Sequence, residues 1–502
     1  MTANIRKRIE AMSMSATGTI RQAMRSIERG ALGVALLIEP RTKHFVGLVT
    51  DGDIRRALLK GYGLKSPVTT VQRLVPKTAR AGMSLQQVSA LFSEPVGVVP
   101  LLDEDGRVAD LAVFNRRGYI PVAEPSLGEK ELLNVLECVL TGWVSSAGKF
   151  ITRFEEMFAE FCGTRYAIAT SNGTTALHLA LLALGIGPGD EVIVPTLTFI
   201  STASAVSHTG ARAVFVDSEL ETWNIDPNLI EEAITSRTKA IIPVHLYGHP
   251  ASMSPILDIA ARHNLAVIED AAEAHGACYK GQRVGGIGDM GAFSFYGNKI
   301  ITTGEGGMVV TNRADLSEKI RLLRNHGMSP EHRYWHLELG YNYRMTNLQA
   351  ALGVAQLEKV QTLLAKRRRL FEIYNGKLGS IPGVTLPPSA PWADSVCWLY
   401  TILIDKTVFG MSRDALMESL REENIETRPM FIPLHLQPLY RDGSSSRSFP
   451  NAEMLAHRGL SLPSSANLRV ADVERVAEVI SYLAKRDQTL EKPGKKAERG
   501  RP

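Results

Sequence analysis

Between residues 191 and 270 the sequence reads EVIVP (191–195), AVFVD (213–217), AIIPVHLYG (240–248) and LAVIED (265–270), four apolar runs set apart by longer, more polar segments. Runs that are apolar at nearly every position suit strands covered on both faces, as in a parallel sheet packed between helices. The intervening segments have helical length and patterning, so the stretch predicts a three-layer α/β/α domain. This texture extends outward from Tyr119 to about residue 485. GYNYRMTNLQAALGVAQLEKVQTLLAKRRRLFEIYNGKL (340–378) predicts one long helix leading into a smaller C-terminal α+β lobe. We place the large domain at 119–365 and the small one at 366–485.

Residues 1–118 read differently, as short β and α pieces. TIRQAMRSIERG (19–30) predicts a helix, VALLIE (34–39) and FVGLVT (45–50) two strands, and DIRRALLKG (53–61) a second helix. A weaker second copy follows, with a helix at MSLQQVSALFSE (83–94) and a hairpin in VGVVPLLDEDGRVADLAVF (96–114) turning at Asp103 to Gly106; its closing helix is missing. At 502 residues the chain exceeds what a single core usually supports, in keeping with this division.

Apolar residues make up 44% and charged residues 22%, as in an ordinary globular protein. The net charge of +5, from 57 basic and 52 acidic residues, is too small and too interspersed to suggest nucleic-acid binding. Part of the excess lies in RDQTLEKPGKKAERGRP (486–502), which has few apolar residues and is expected to be a disordered, solvated basic tail. Cys138, Cys162, Cys278 and Cys397 form no CxxC pair, against a zinc site or a disulfide framework, and we expect no metal. Without a long apolar run or an apolar signal core in MTANIRKRIEAMS, the expected location is the cytoplasm and no membrane partner is foreseen.

Three places in 119–485 suit a pyridoxal 5′-phosphate (PLP) enzyme, which needs a lysine for the cofactor's aldehyde, a carboxylate for its ring nitrogen and a cradle for its phosphate. In ATSNGTTALHLALLALGIGPGDEVIVP (169–195), Ser171 to Thr175 form a turn feeding a helix, where free N–H groups suit an anion. By itself this is equally an ordinary capped helix start. Asp270 ends the strand LAVIED at the edge where open parallel sheets place their ligands, although it could also cap the AAEAHG segment that follows. Lys299, in GAFSFYGNKIITTGEGGMVV (291–310), sits among Phe293, Phe295, Tyr296, Ile300 and Ile301, surroundings that would desolvate the amine and lower its pKa.

With these residues in view, 119–485 resembles the DegT/DnrJ/EryC1/StrS sugar aminotransferases. The resemblance runs through IPVAEPSLGEKE (120–131), GWVSSAGKFITRFEE (142–156), IEDAAEAHGA (268–277), FYGNKIITTGEGGMV (295–309), RYWH (333–336), GYNYRMTNLQAALGVAQLE (340–358) and ETRPMFIPLH (426–435). It implies PLP-dependent transferase fold type I, the aspartate-aminotransferase-like architecture. It also implies that Lys299 is the Schiff-base lysine and Asp270 the partner of the pyridine nitrogen. Gly173, Thr174 and Ser294 would hold the phosphate, and Phe199 in PTLTFIST would stack on the ring. Glu273 stands beside the ring hydroxyl, where the broader family commonly has Gln. In this family the active site is shared across a homodimer, which implies that Asn342 and Arg344 of the GxNxR motif reach the partner's cofactor; a helical ion pair is the plainer reading of Arg344. Trp143, Ser145, Ser146, Tyr334, His336, Arg428 and His435 fall in segments that line the sugar-nucleotide pocket, with ordinary structural roles open for the two histidines.

The implied reaction takes an amino group from L-glutamate, releasing 2-oxoglutarate and passing through pyridoxamine phosphate, to C4 of a nucleotide-linked 4-keto-6-deoxyhexose used in surface polysaccharides such as O-antigen. GDP-4-keto-6-deoxymannose is the substrate the resemblance favours, ahead of a UDP-linked 4-keto-amino sugar. PLP sugar dehydratases resemble the same pattern with His in place of the lysine, so Lys299 speaks for amino transfer. FVGLVTDGDIRRALLKG (45–61) resembles part of a CBS-domain pair, an α+β module in which Thr50 and Asp53 would bind the ribose of an adenine or other purine nucleotide. Asp53 as a plain helix cap explains the same residues. A catalytically silent, nucleotide-sensing CBS protein is a further alternative, which the joint presence of Lys299, Asp270 and Ser294 disfavours.

Overall fold

The fold is built outward from one seven-stranded sheet, in strand order β7-β15-β14-β11-β10-β8-β9. Its strands are β7 (Tyr166–Thr170), β8 (Glu191–Pro195), β9 (Arg212–Val216), β10 (Thr238–Ile241), β11 (Ala266–Asp270), β14 (Met290–Ser294) and β15 (Gly307–Thr311). The four apolar runs of 191–270 supply β8 to β11, all mutually parallel. β15 alone runs against its neighbours, because β14 returns through the short 295–306 loop instead of a crossover helix. This computed structural model describes residues 9–30, 32–71, 76–83, 88, 91, 98–113, 119–441 and 447–490. The chain separates into two compact units, Met1–Tyr119 and Ile120–Pro502.

In the larger unit, alternate residues of each strand enter two different cores, as the period of two requires. Ile193, Ile241, Val267, Phe293 and Val310 face one side. There they meet Phe154 and Phe158 of α4 (Lys149–Cys162), Ile256 of α7 (Met253–His263) and Val354 of α9 (Asn347–Glu358). Val192, Val194, Ile268, Ala292 and Val309 face the other. Leu177 and Leu181 of α5 (Gly173–Ala183), Val206 of α6 (Ser201–His208) and Ile320 of α8 (Ala314–Arg324) cover that side. Each fully buried Phe or Leu contributes roughly 1.5–3 kcal/mol, so this double cover holds the strand ends at fixed positions.

The smaller lobe of the same unit is a four-stranded antiparallel sheet. Its order is β16-β18-β20-β19, from β16 (Val384–Thr385), β18 (Tyr400–Ile404), β19 (Arg428–Pro429) and β20 (Gly459–Leu462). It packs on α10 (Val360–Leu378) and on the last helix, Val470–Leu490, through Tyr374, Tyr400, Ile402 and Ile480. The expected single helix over 340–378 is two, broken at Lys359 (φ −112°, ψ 10°). Lys359 Nζ is drawn to Ser126 O and the Glu131 carboxylate at this break. The boundary placed at 365/366 falls inside α10. The last helix continues to Leu490, five residues into the expected tail, since no Pro or Gly interrupts it before Pro493; 491–502 lie outside the described residues. No helix among the described residues is long and apolar enough to cross a membrane.

Met1–Tyr119 contains the same small sheet twice. β1 (Ser13–Ser15) pairs parallel with β2 (Val34–Ile38), which pairs antiparallel with β3 (Phe45–Thr50). β4 (Ala79–Arg80), β5 (Val98–Leu102) and β6 (Val108–Val113) repeat that order and those directions. β5 and β6 turn where expected, with Gly106 N–H donating to Asp103 O at 3.1 Å and Gly106 at φ +72°. The helices α1 (Ile20–Gly30) and α2 (Asp51–Leu59) match the two expected in the first copy. The helix expected over 83–94 lies largely outside the described residues. β1, in a run of Ser and Met, carries no alternation that would betray a strand.

Candidate active site

Lys299 lies in the loop after β14, at the carboxyl end of the sheet, and its amine is walled in on two sides. Nζ stands 3.8 Å from the centre of the Trp398 ring and 3.6 Å from Glu273 Oε1. Burial pulls the Lys299 pKa down, against the opposing pull of Glu273 and Asp270. That shift favours an uncharged, nucleophilic amine.

Asp270 ends β11 beneath the same cavity and is 5% exposed. Thr202 Oγ1 donates to its Oδ2 at 2.8 Å and Ala272 N–H to its Oδ1 at 3.2 Å. Burial raises its pKa, while these two donors, Lys299 and His245 work to keep it ionised. The expected cap over AAEAHG is therefore confined to one backbone contact, and the carboxylate stays in the cavity wall. The neighbouring Glu269 faces away: it accepts from Gly285, Ile287 and Gly288 N–H and pairs with His245 Nε2 at 3.0 Å, which anchors the strand end.

The anion cradle forms where α5 and α6 begin. Asn172 caps α5 reciprocally with Thr175, which leaves the Gly173 and Thr174 N–H groups without intrahelical acceptors. Thr174 Oγ1 donates to Ser201 Oγ at 2.8 Å, bringing the first residue of α6 alongside. A Cβ at position 173 would lie 2.8 Å from the Ser294 Cβ, so only glycine lets this backbone approach Ser294. Free N–H groups, hydroxyls and dipole together suit a phosphate.

Lys299, Trp398, Asp270, Gly173, Thr174, Ser201 and Ser294 line one cavity of about 710 Å³, with Phe199, Glu273 and Arg428 also in its wall. Phe199 is 54% exposed, with its ring 5.9 Å from that of Phe431. The remaining substrate candidates are elsewhere. His435 does not line the cavity: its Nδ1 bonds Thr196 Oγ1 at 2.7 Å, its Nε2 meets Glu453, and its ring stacks on Phe449. It fastens the C-terminal segment to the end of β8, a structural role. Trp143, Ser145 and Tyr334 are exposed and outside the cavity wall, and so is His336, which bonds His326 O at 2.9 Å. Asn347 pins the 143–145 loop through Trp143 O and Ser145 O.

Asn342 and Arg344 also miss their own chain's cavity, although Tyr343 between them reaches it. Asn342 bridges to Asn325, and Arg344 lines a separate cavity with Ser146. Thr50 and Asp53, in the other unit, form a capping box at α2: Asp53 N–H donates to Thr50 Oγ1 at 3.1 Å, and Thr50 N–H to Asp53 Oδ2 at 3.0 Å. Arg56 occupies the other Asp53 oxygen.

Several wall residues carried no sequence signal. Trp398 arrives from the segment just before β18 and Tyr247 from the segment after β10, both far from Lys299 in sequence. Ser201 and Thr202 could have been found, since they are the last two residues of the PTLTFIST motif that holds Phe199. His178 is buried, bonds Tyr343 Oη at 3.3 Å, and has its pKa pushed down to about 4 by burial and by nearby His208.

A largely enclosed lysine, a buried carboxylate and a glycine-gated anion cradle around one cavity fit PLP. The model of the DegT/DnrJ/EryC1/StrS aminotransferase family matches residues 125–481. The chain belongs to this family. It is a PLP-dependent sugar aminotransferase. The aminotransferase is 50% identical over 365 residues to GDP-perosamine synthase of Caulobacter vibrioides, covering 72% of this chain and 98% of that one. It is 47% identical to GDP-perosamine synthase of Escherichia coli O157:H7, again over 72% of this chain and 98% of the relative. A crystal structure of DesV from S. venezuelae, 39% identical, matches with a TM-score of 0.67 over 71% of this chain and 94% of DesV. The family match begins past Met1–Tyr119.

Proposed function

We propose that this aminotransferase moves the amino group of L-glutamate to C4 of GDP-4-keto-6-deoxymannose, giving GDP-perosamine for surface polysaccharide in the cytoplasm. The observation that carries the reading is 50% identity along 98% of a GDP-perosamine synthase, with Lys299, Asp270 and the Gly173 cradle around one cavity.

PLP, when bound, supplies an aldehyde for an incoming amine and a ring that takes up electron density as a substrate C–H bond breaks. Gly173, Thr174, Ser201 and Ser294 would hold its phosphate and Asp270 its protonated ring nitrogen, with Phe199 and Glu273 beside the ring. Lys299 Nζ, uncharged, removes the proton from the donor Cα and later returns one on the acceptor side. Arg428, half-exposed in the wall and 3.6 Å from Glu426, offers a cation to an anionic group of donor or acceptor.

Asn342 and Arg344 complete the cradle of a second copy, in a homodimer with shared sites. Their absence from their own cavity supports this, as does the exposed apolar surface of Leu140, Trp143, Tyr334, Trp335 and Leu339. For Met1–Tyr119 we propose a CBS pair, supported by the twice-repeated sheet.

The substrate is tested by supplying L-glutamate with GDP-4-keto-6-deoxymannose or with a UDP-linked 4-keto-amino sugar, and following 2-oxoglutarate and the amino sugar by mass spectrometry. Turnover of the GDP sugar at least about tenfold faster is expected. Preference for the UDP sugar overturns the substrate assignment and leaves the aminotransferase intact.

A further inference from the structure

Glu273 is 4% exposed and is the carboxylate that meets the Lys299 amine, at 3.6 Å. Its other oxygen is fixed by Tyr247 N–H, which donates to Oε2 at 2.8 Å. Tyr247 takes the left-handed conformation (φ 52°, ψ 19°) to aim that N–H, a geometry costing roughly 1–3 kcal/mol for a non-glycine residue. The Tyr247 ring is held between Phe431 and Trp398, with ring centres 5.4 and 6.0 Å away. Trp398 is held as firmly: its Nε1 donates to Asn298 O at 2.9 Å, and buried Arg367 donates to its carbonyl at 2.8 Å. Glu273 and the Trp398 face thus bracket one amine, and both favour its ammonium form.

We propose that Glu273 is a positioning residue that takes and returns the proton of the free Lys299 amine, so that the lysine becomes a base inside the closed cavity without exchanging protons with bulk water. One N–H bond of the ammonium breaks, its electron pair stays on Nζ as the lone pair, and the proton forms an O–H bond at Glu273 Oε1; the return step reverses this. At 3.6 Å the transfer needs Nζ to swing closer or one bridging water. Burial raises the Glu273 pKa to about 7 and lowers that of Lys299, which narrows the gap the proton must cross. The other ionisable groups facing the pair are Asp270 at the end of β11, Tyr247, and His275 behind the lysine; His245, in the segment after β10, acts on Asp270, and Arg367 acts on His275. Asp270 also favours the Lys299 ammonium, but its oxygens are held by Thr202 and Ala272.

The inference rests on Lys299 being the cofactor lysine, and the test separates the two. The holoenzyme is labelled with a trace of acetic anhydride across a pH series, with and without excess L-glutamate, and acetylation of the Lys299 peptide is measured by mass spectrometry. Labelling that appears only with glutamate supports the lysine assignment; labelling indifferent to glutamate overturns that assignment. With glutamate present, Glu273→Gln removes the charge that favours the ammonium. Its labelling midpoint is expected about one pH unit lower than in the wild type, or about tenfold more label at a fixed pH below both midpoints. A midpoint that is unchanged or raised overturns the role given to Glu273. Glu273→Ala is expected to shift the midpoint in the same direction and carries the test if the Gln protein does not fold.

Discussion

Thr202 Oγ1 donates a 2.8 Å hydrogen bond to Asp270 Oδ2, and both side chains are buried. Thr202 lies in the first turn of α6 and Asp270 at the end of β11, so this contact ties the helix beside the anion cradle to the carboxylate under the cavity. Burial works to protonate Asp270, and the hydrogen bond from Thr202 resists it most. Thr202→Val is therefore expected to raise the Asp270 pKa further and weaken cofactor retention, read by equilibrium dialysis of PLP. Asp270→Asn, which abolishes the charge, is expected to cost roughly a hundredfold or more in turnover. Normal retention in both variants would contradict the role proposed for Asp270.

The raised pKa of Glu273 has a consequence for stability. Its ordinary value of 4.5 moves to about 7 in the folded protein, so the native state binds more protons between those values than the unfolded state. The contribution is fully present below pH 4.5 and is lost as pH rises through 7, a change on the order of 3 kcal/mol. In cofactor-stripped protein, the stability of wild type relative to Glu273→Gln is expected to fall across this window, measured by urea unfolding at successive pH values.

If sites are shared between subunits, Lys299→Ala and Arg344→Ala proteins, each impaired, regain activity when mixed and allowed to exchange. Random pairing puts both lesions in one of the two sites of a mixed dimer and leaves the other site whole, so about a quarter of wild-type activity is the expected ceiling. Absence of rescue, with exchange shown by mass spectrometry, would assign Arg344 to its own chain.

Thr50 and Asp53 are already engaged with each other at the start of α2. The helix starts at Asp51 with Thr50 as its N-cap, so Asp53 is the third-residue member of the capping box; in that role alone, Asp53→Ala costs about 1 kcal/mol with or without nucleotide. If the unit binds a purine nucleotide there, a hundredfold excess over Kd stabilises wild type by about 2.7 kcal/mol, and the variant loses that gain. Thermal unfolding with AMP, ATP and GMP distinguishes the two, and deleting residues 1–117 is expected to leave amino transfer intact.

The central sheet was legible because parallel strands must be apolar on both faces, a demand that β8 to β11 write directly into 191–270. Lys299, Asp270 and Gly173 were legible for a related reason: each sits where a strand end or helix start imposes its own residue pattern. Trp398 and Tyr247 were not, since Trp398 reaches Lys299 only through the packing of one lobe of the unit on the other, and Tyr247 joins the site through its backbone N–H to Glu273, which no side-chain pattern announces. The break at Lys359 was hidden because its cause is a contact with Ser126 and Glu131, more than 200 positions away. His435 was drawn into the site by its motif, yet its partners Thr196 and Glu453 give it a fastening role.

The most direct measurement follows the near-visible absorbance of the purified holoenzyme through two additions. L-Glutamate alone is expected to bleach the band with one equivalent of 2-oxoglutarate per active site. GDP-4-keto-6-deoxymannose added after removal of glutamate is expected to restore the band with one equivalent of GDP-perosamine. Lys299→Ala protein should slow both steps by at least about 10²-fold. A band that glutamate leaves unchanged, or a Lys299→Ala protein that completes the cycle at the wild-type rate, would contradict the account.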